Sequence, residues 1–252
     1  MNRPVVLITG ASSFLGKSLS KAMEARDLKL VLLSSNREFL ERTPSSIPFE
    51  IERPLFPDLL PQPTHCVHFA WATDRGKSAQ KASYVSGSAL ARWCAEKNIK
   101  ALFVSTMAAS PDRPTSNYGI YKKLSENDFR KMGHSVVRLG TVVGAQEQGG
   151  SAINQLYALP PTARFLLQTL RPITVPITHQ DTFNNFVVNQ WMASSTSEAY
   201  TVIDEVRTLQ SLLGINEGKL SLSVLRIGSW FLPRKIGDRL RTLADLRSRV
   251  TN

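Results

Sequence analysis

Near the N-terminus the sequence reads Val5-Val6-Leu7-Ile8-Thr9-Gly10-Ala11-Ser12-Ser13-Phe14-Leu15-Gly16. Its first four residues are apolar and mostly β-branched, which is typical of a strand buried on both faces of a parallel sheet. Gly10 permits a tight turn after this strand, and Gly16 permits close packing of the helix predicted from Lys17 to Ala25. A helix N-terminus after such a turn offers N–H groups and a partial positive charge to a pyrophosphate. The order strand, turn, helix therefore predicts a dinucleotide-binding turn, with an ordinary strand-turn-helix unit as the alternative.

The bulk composition indicates an intracellular globular chain. Its 252 residues with 42% hydrophobic content can bury the core of one domain, with or without a small appendage. Cys66 and Cys94 both lie in apolar segments, which predicts buried thiols in a reducing cytoplasm rather than a disulfide framework. We expect no signal peptide and no membrane-spanning helix, because no uncharged stretch reaches roughly 18 residues.

The formal charge of +11 raises the question of nucleic-acid binding. Residues 230–252 hold six basic and two acidic side chains, so this tail carries +4 of the total and the rest is scattered. A diffuse positive field attracts phosphorylated ligands as readily as nucleic acid. No zinc-finger spacing, RNA-binding aromatic motif or basic zipper accompanies the charge. We therefore expect a small anionic ligand, with neither nucleic acid nor a structural metal.

Tyr118 and Lys122 stand four residues apart in a run with helical composition, so a helix would place them on one face. A tyrosine titrates near ~10, and bringing its pKa to neutrality requires roughly 3 units, or about 4 kcal/mol in favour of the phenolate. An adjacent ammonium can supply part of this stabilisation. The pair could thus exchange a proton with a carbonyl or an alcohol, although any amphipathic helix can contain the spacing by chance.

Residues 9–16 resemble the Thr-Gly-x-x-Gly-x-x-Gly turn of the short-chain dehydrogenase/reductase superfamily, in its extended branch of NAD-dependent epimerases and dehydratases. Ser13 stands where this family has its middle glycine, which places a side chain near the cofactor phosphates. The resemblance implies an α/β fold, a doubly wound parallel sheet (Rossmann) with a small C-terminal substrate-binding portion. The cofactor contacts that it implies are Gly10, Ser12, Ser13, Phe14, Leu15, Gly16 and Ala70.

The end of the second predicted strand, 28–33, bears on the choice of dinucleotide. A carboxylate there would bind the ribose hydroxyls of NAD. The sequence instead reads Ser34-Ser35-Asn36-Arg37, and the hydroxyl of Ser35 and the guanidinium of Arg37 suit a 2'-phosphate better. We therefore expect NADP rather than NAD, although Arg37 is equally compatible with a solvated helix position.

Further segments resemble the same family. Residues 66–71 are similar to its strand Val-Ile-His-Leu-Ala-Ala, in which we interpret His68 as a core histidine. The predicted helix 84–96 begins at Tyr84, where the family has an asparagine. Residues 101–106 form an apolar strand, and the resemblance implies that Thr106, with its neighbour Ser105, orients a substrate oxygen beside Tyr118.

The link from Thr106 to Tyr118 spans 118 − 106 = 12 residues. In extended family members it is about twice as long and contains a Val-Tyr-Gly element that is absent here. We expect a more open substrate pocket on this side.

The chain is predicted to fall into three parts. They are a dinucleotide-binding core at 1–144, a substrate-side region interleaved with the core at 145–233, and a basic amphipathic helix at 234–252. Within them, residues 135–144, 174–181 and 200–204 resemble the family's later strands, 208–213 resembles its late helix, and Asp181 is expected in the first turn of a helix. The C-terminal helix could dock on the body, on a second subunit or on an anionic membrane surface.

The resemblance implies an NAD(P)-dependent oxidoreductase, epimerase or dehydratase that acts on a nucleotide sugar, and it also implies a homodimer. In it Tyr118 would be the acid/base, and Lys122 would bind the nicotinamide ribose and lower the pKa of Tyr118. Two alternatives remain open at this point. One is a non-catalytic NADP-binding or scaffolding protein of the same fold, and the other is an assembly factor docked on a membrane through its C-terminal helix.

Overall fold

A computed structural model describes residues 3–52, 54, 62–72, 76–110, 114–144 and 174–208. The strands are β1 (Val5–Thr9), β2 (Lys29–Ser34), β3 (Ile47–Pro48), β4 (His65–His68), β5 (Lys100–Thr106), β6 (Ser135–Leu139), β7 (Thr141–Val143), β8 (Thr174–His179), β9 (Ala199–Val202) and β10 (Glu205–Thr208). The α-helices are α1 (Phe14–Glu24), α2 (Arg37–Arg42), α3 (Lys77–Glu96), α4 (Asn117–Lys131) and α5 (Gln180–Asn185). A 3-10 turn covers Met107–Ala109, and a π-helical turn covers Phe186–Trp191. Residues 145–173 and 209–233 of the predicted substrate-side region and the predicted C-terminal helix at 234–252 lie outside the described residues, and Thr208, the first residue of the predicted helix 208–213, ends β10.

Seven strands form one sheet in the order β3-β2-β1-β4-β5-β6-β9. Every neighbouring pair in this sheet is parallel. The chain builds outward from β1 in one direction and from β4 in the other, so the order reverses between β1 and β4. The predicted doubly wound parallel sheet is confirmed, and ligands of such sheets bind beyond the carboxyl ends of the strands at this reversal. A second sheet, β10-β8-β7, was not predicted.

The core lies on both faces of the seven-stranded sheet. All five residues of β1 are buried, and they alternate between the faces: Val6 and Ile8 belong to one apolar cluster and Leu7 to the other. Cys66 and Cys94 are free and buried in the second cluster, as predicted. The hydrogen bond with Cys94, followed by burial, raises the pKa of the Cys66 thiol. Among the described helices, none is both long and apolar enough to cross a bilayer.

Several element boundaries differ from the sequence prediction, and the largest difference is that α3 begins at Lys77 rather than at Tyr84. β4 ends at His68 rather than continuing to Trp71, because the chain leaves the sheet and the N–H of Ala72 bonds to the Ser83 hydroxyl of α3 at 2.9 Å. The strand predicted from residue 135 breaks at Gly140, whose N–H bonds to the Thr178 hydroxyl at 2.9 Å. β6 therefore pairs with β5, whereas β7 pairs with β8 in the second sheet.

Helices α1 and α2, which follow β1 and β2, each begin with a side-chain cap. Ser13 caps α1 and Asn36 caps α2, where its side-chain oxygen accepts from the Phe39 N–H at 2.8 Å. Asp181 lies in the first turn of α5, as predicted. These caps fix the helix starts at the carboxyl edge of the sheet, where a ligand of this fold would lie.

Candidate functional site

The turn after β1 is pressed against the end of β4. Gly10 has φ +69°, and a Cβ on it would lie 2.7 Å from the backbone nitrogen of Ala70. Only glycine tolerates both the left-handed backbone and this close approach. At Gly16, a Cβ would lie 2.9 Å from the Cα of Ala11, so helix α1 packs directly on the turn. The two glycines thus place no side chain at the N-terminus of α1 and let it lie near the carboxyl ends of β1 and β4.

Ser13, at the position of the expected middle glycine, caps α1. Its hydroxyl accepts a hydrogen bond from the Gly16 N–H at 3.1 Å. The side chain therefore engages one of the donors that a helix N-terminus otherwise presents to an anion. A pyrophosphate at this turn would compete with, or bridge to, the Ser13 hydroxyl.

The remaining cofactor candidates lie along the same edge. The Ser34 hydroxyl at the end of β2 donates to the Ser12 hydroxyl at 2.7 Å, which ties the turn to the neighbouring strand. Phe14 and Leu15 are the first two residues of α1 and are half-buried. Ser35 and Arg37, which follow β2, are exposed, and Arg37 begins α2. The structure therefore brings the turn, Ala70 and the end of β2 together, with Arg37 on the solvent side.

His68 is enclosed below this edge. Its ring packs against Phe103 and Phe129, each at 5.8 Å between ring centroids, and its Nδ1 shares a 2.6 Å hydrogen bond with the Thr9 hydroxyl. Burial first, and then the positive charge of Lys122, lower the pKa of His68 to about 3. His68 is a neutral core residue, in keeping with the sequence interpretation.

The enclosed His68 predicts a loss of stability in mild acid. The unfolded chain binds a proton at His68 near pH 6.5, whereas the folded chain does so only near about 3. Between these values the unfolded state holds more protons, so the free energy of unfolding falls by about 1.4 kcal/mol per pH unit as the pH decreases. Above pH 6.5 His68 is neutral in both states, so it no longer makes the free energy of unfolding depend on pH. Urea titrations at several pH values will show a shallower pH slope for His68→Asn, and equal slopes would contradict the prediction.

Tyr118 and Lys122 occupy the first two turns of α4, as the spacing predicts. Ser116 caps this helix by accepting from the Gly119 N–H at 3.0 Å. Lys122 is only 4% exposed, and its Nζ donates to the carbonyl of Val104 at 2.8 Å. Its Nζ also lies 5.9 Å from the centre of the Tyr118 ring. The ammonium is thus anchored to β5 next to the phenol ring.

The two hydroxyls at the end of β5 have different partners. The Ser105 hydroxyl donates to Oε1 of the buried Glu126 at 2.6 Å. The Thr106 hydroxyl accepts from the Ala108 N–H at 3.2 Å and so begins the 3-10 turn. Thr106 is half-buried, whereas Ser105 is 5% exposed. Of the two, Thr106 is therefore better placed to meet a ligand.

Comparison with known proteins was informative only at the level of structure. Neither a protein-family model nor a curated protein matches the sequence. Among solved structures, the Bordetella bronchiseptica enzyme WbmG in complex with NAD is 18% identical, with a TM-score of 0.64 over 84% of this chain and 77% of that one. UDP-N-acetylglucosamine 4-epimerase from Bacillus cereus is 17% identical, with a TM-score of 0.63 over 86% and 84% of the two chains. UDP-glucose 4-epimerase from Thermotoga maritima, solved with UDP-glucose, is 16% identical, with a TM-score of 0.64 over 86% and 85%. The chain shares the doubly wound, Rossmann-type fold of these enzymes.

Within this fold, an ion pair that the sequence reading missed supports the helix of the candidate pair. The carboxylate of Glu126 accepts from Nε and Nη2 of Arg138 at 2.9 and 2.6 Å, and its side chain is 2% exposed. The bond to Glu126 raises the pKa of Arg138. Two signals were available: Glu126 lies four residues after Lys122, and Arg138 is a lone cation in the apolar strand β6.

Proposed function

We propose that this chain is an NAD(P)-dependent oxidoreductase, epimerase or dehydratase that acts on a nucleotide sugar. The observation that carries the proposal is the anchoring of Lys122 to Val104, two residues before Thr106, with Tyr118 one helical turn away. The bound NAD of WbmG and the UDP-glucose of the Thermotoga maritima epimerase support the ligand classes. The fold alone hosts many functions, so the chemistry rests on these side chains.

Each side chain has a distinct role in the proposed reaction. Tyr118 exchanges a proton with a hydroxyl or carbonyl of the substrate, and the ammonium of Lys122 stabilises its phenolate form while binding the nicotinamide ribose. Thr106, and in a secondary role Ser105, positions the same substrate oxygen. A nicotinamide dinucleotide, when bound, supplies or accepts the hydride. The close packing of Gly10 on the backbone of Ala70 holds the turn against the end of β4, and this position at the reversal of strand order supports a dinucleotide as the ligand.

Incubation with candidate nucleotide sugars separates the possible reactions. Net consumption of NADPH supports a reductase, whereas an isomerised or dehydrated sugar without net consumption supports an epimerase or a dehydratase. If the wild-type chain binds neither dinucleotide in calorimetry, the proposal fails.

NADP is the proposed dinucleotide because Ser35 and Arg37 follow β2 where a carboxylate would favour NAD. Replacement of Arg37 by alanine is expected to weaken NADP binding by about 10- to 100-fold, because a charge-assisted hydrogen bond of about 1.5–3 kcal/mol is lost, and to leave NAD binding unchanged. Calorimetric titration with each dinucleotide measures both values. Arg42→Ala, at the exposed far end of α2, is the matched control. A similar loss for NAD, or no loss for NADP, would contradict this assignment.

A non-catalytic NADP-binding or scaffolding protein is the second candidate. It is favoured by the Ser13 hydroxyl at the phosphate turn and by the burial of Lys122, 4% exposed. This candidate predicts dinucleotide binding without turnover of any nucleotide sugar. We also propose a homodimer, for which three exposed apolar side chains on α3 and α4 offer a surface: Val85, Ile120 and Leu124.

A further inference from the structure

An aromatic cluster surrounds the ammonium of Lys122. Its Nζ lies 4.2 Å from the centre of the Trp71 ring and 4.6 Å from that of Phe103. Burying an ammonium is costly unless its charge is compensated. Together with the carbonyl of Val104, the two ring faces provide this compensation through cation–π attraction. Trp71 makes the closer of the two ring contacts.

The indole of Trp71 is itself held in place. Its Nε1 donates to Oε1 of Gln80 at 2.7 Å, and Nε2 of Gln80 donates to the carbonyl of Ala72 at 3.2 Å. Gln80 and Ser83 of α3 are both fully buried, and Ser83 accepts from the N–H of Ala72. The segment after β4 is therefore held on α3 through the indole N–H of Trp71 and through both backbone groups of Ala72. A side chain fixed in this way is pre-organised before any ligand arrives.

Trp71 also contacts the other member of the candidate pair. Its ring meets that of Tyr118 edge to face, with centroids 6.5 Å apart and planes at 83°. One indole thus contacts the ammonium through its face and the phenol ring through an edge-to-face arrangement. Trp71 therefore contacts both members of the candidate pair.

We propose that Trp71 is a positioning residue that holds the ammonium of Lys122 beside Tyr118. The role of Trp71 in catalysis rests on the proposed function of the pair, whereas its contact with Lys122 does not. Trp71 acts through Lys122: it fixes where the positive charge lies, and Lys122 delivers that charge to the phenol and to the nicotinamide ribose. Gln80 supports Trp71 by holding the indole N–H.

Competitive acetylation with a limiting amount of acetic anhydride, read by peptide mass spectrometry, reports the exposure of each lysine without a substrate. Relative to Lys123, labelling of Lys122 is expected to rise about tenfold in Trp71→Leu and less in Trp71→Phe, which keeps an aromatic face. Trp93→Leu is the matched control, since Trp93 is also half-buried and packs on the same apolar cluster. Circular dichroism establishes that each variant is folded. Unchanged labelling in Trp71→Leu, or an equal rise in Trp93→Leu, overturns the proposal.

Calorimetry with NADP tests whether the position of Lys122 matters for the ligand. Trp71→Leu is expected to weaken NADP binding about tenfold, and Trp71→Phe is expected to restore most of it. Higher labelling of Lys122 with unchanged NADP affinity overturns the positioning role. If the wild-type chain binds no dinucleotide, the proposed function fails, and the labelling result still decides whether Trp71 holds Lys122.

Discussion

Replacement of Tyr118 by phenylalanine is expected to lower turnover of the nucleotide-sugar substrate by about 10²- to 10⁴-fold, the usual contribution of a positioned general acid or base. The phenylalanine ring keeps the edge-to-face contact with Trp71, whose centroid lies 6.5 Å away, so the loss would report the hydroxyl rather than the packing. Dinucleotide affinity should stay close to that of the wild-type chain, because Lys122 remains bonded to Val104. Steady-state kinetics and calorimetry on the same preparation provide the two measurements.

Tyr121→Phe is the matched control for this substitution. Tyr121 lies on the same helix and is also half-buried, but its ring packs against Tyr84 of α3 at 6.1 Å between centroids. We expect no more than a small change in turnover for this variant. Full activity of Tyr118→Phe would reject the acid/base role. Equal losses in both variants would assign the effect to helix α4 as a whole.

The main sheet could be predicted from the sequence because its signals are local. β1 is a continuous apolar run, and the turn after it contains the glycine that its backbone requires, at φ +69°. The second sheet could not be predicted in this way. Its first strand, β7, begins directly after Gly140, which packs against the backbone of Pro176. The two residues are 36 positions apart (176 − 140 = 36), and a contact over such a distance leaves no periodic pattern in either segment.

The candidate site was predictable to a similar degree. The spacing of Tyr118 and Lys122 encodes a shared helix face, and the structure has both residues on α4. The side chains around the pair could not be predicted from local sequence, because they belong to other elements of the fold. The sequence predicts Trp71 at the end of a strand, whereas in the structure it lies beyond β4 and its ring packs against the ammonium of Lys122. The resemblance places Ser105 beside Thr106 at the substrate, but the hydrogen bond of its hydroxyl to Glu126 arises from the packing of α4 on β5, which local sequence does not encode.

Replacement of Arg138 by methionine is expected to lower the free energy of unfolding by about 3–5 kcal/mol, the usual cost of breaking a buried ion pair by removing one partner. Methionine retains much of the length and apolar volume of the arginine stem, so the loss reflects the charge. The carboxylate of Glu126, which is 2% exposed, bonds to Arg138 and to Ser105. In the variant it would keep the hydroxyl of Ser105 and lose the guanidinium. Urea unfolding followed by circular dichroism measures the change.

The double variant Arg138→Met/Glu126→Leu separates the charge from the position. Removing both charged groups of a buried pair is often neutral, so much of the lost stability should return, and the coupling between the two sites should be large. Arg42→Met is the matched control, because Arg42 forms an ion pair with Glu38 whose side chains are 78% and 68% exposed and which should contribute little. If Arg138→Met were no more destabilised than Arg42→Met, the ion pair would not be what fixes α4 on β5 and β6. If the double variant regained stability but not turnover, Glu126 and Arg138 would be needed for the position of Tyr118 and Lys122 as well as for the fold.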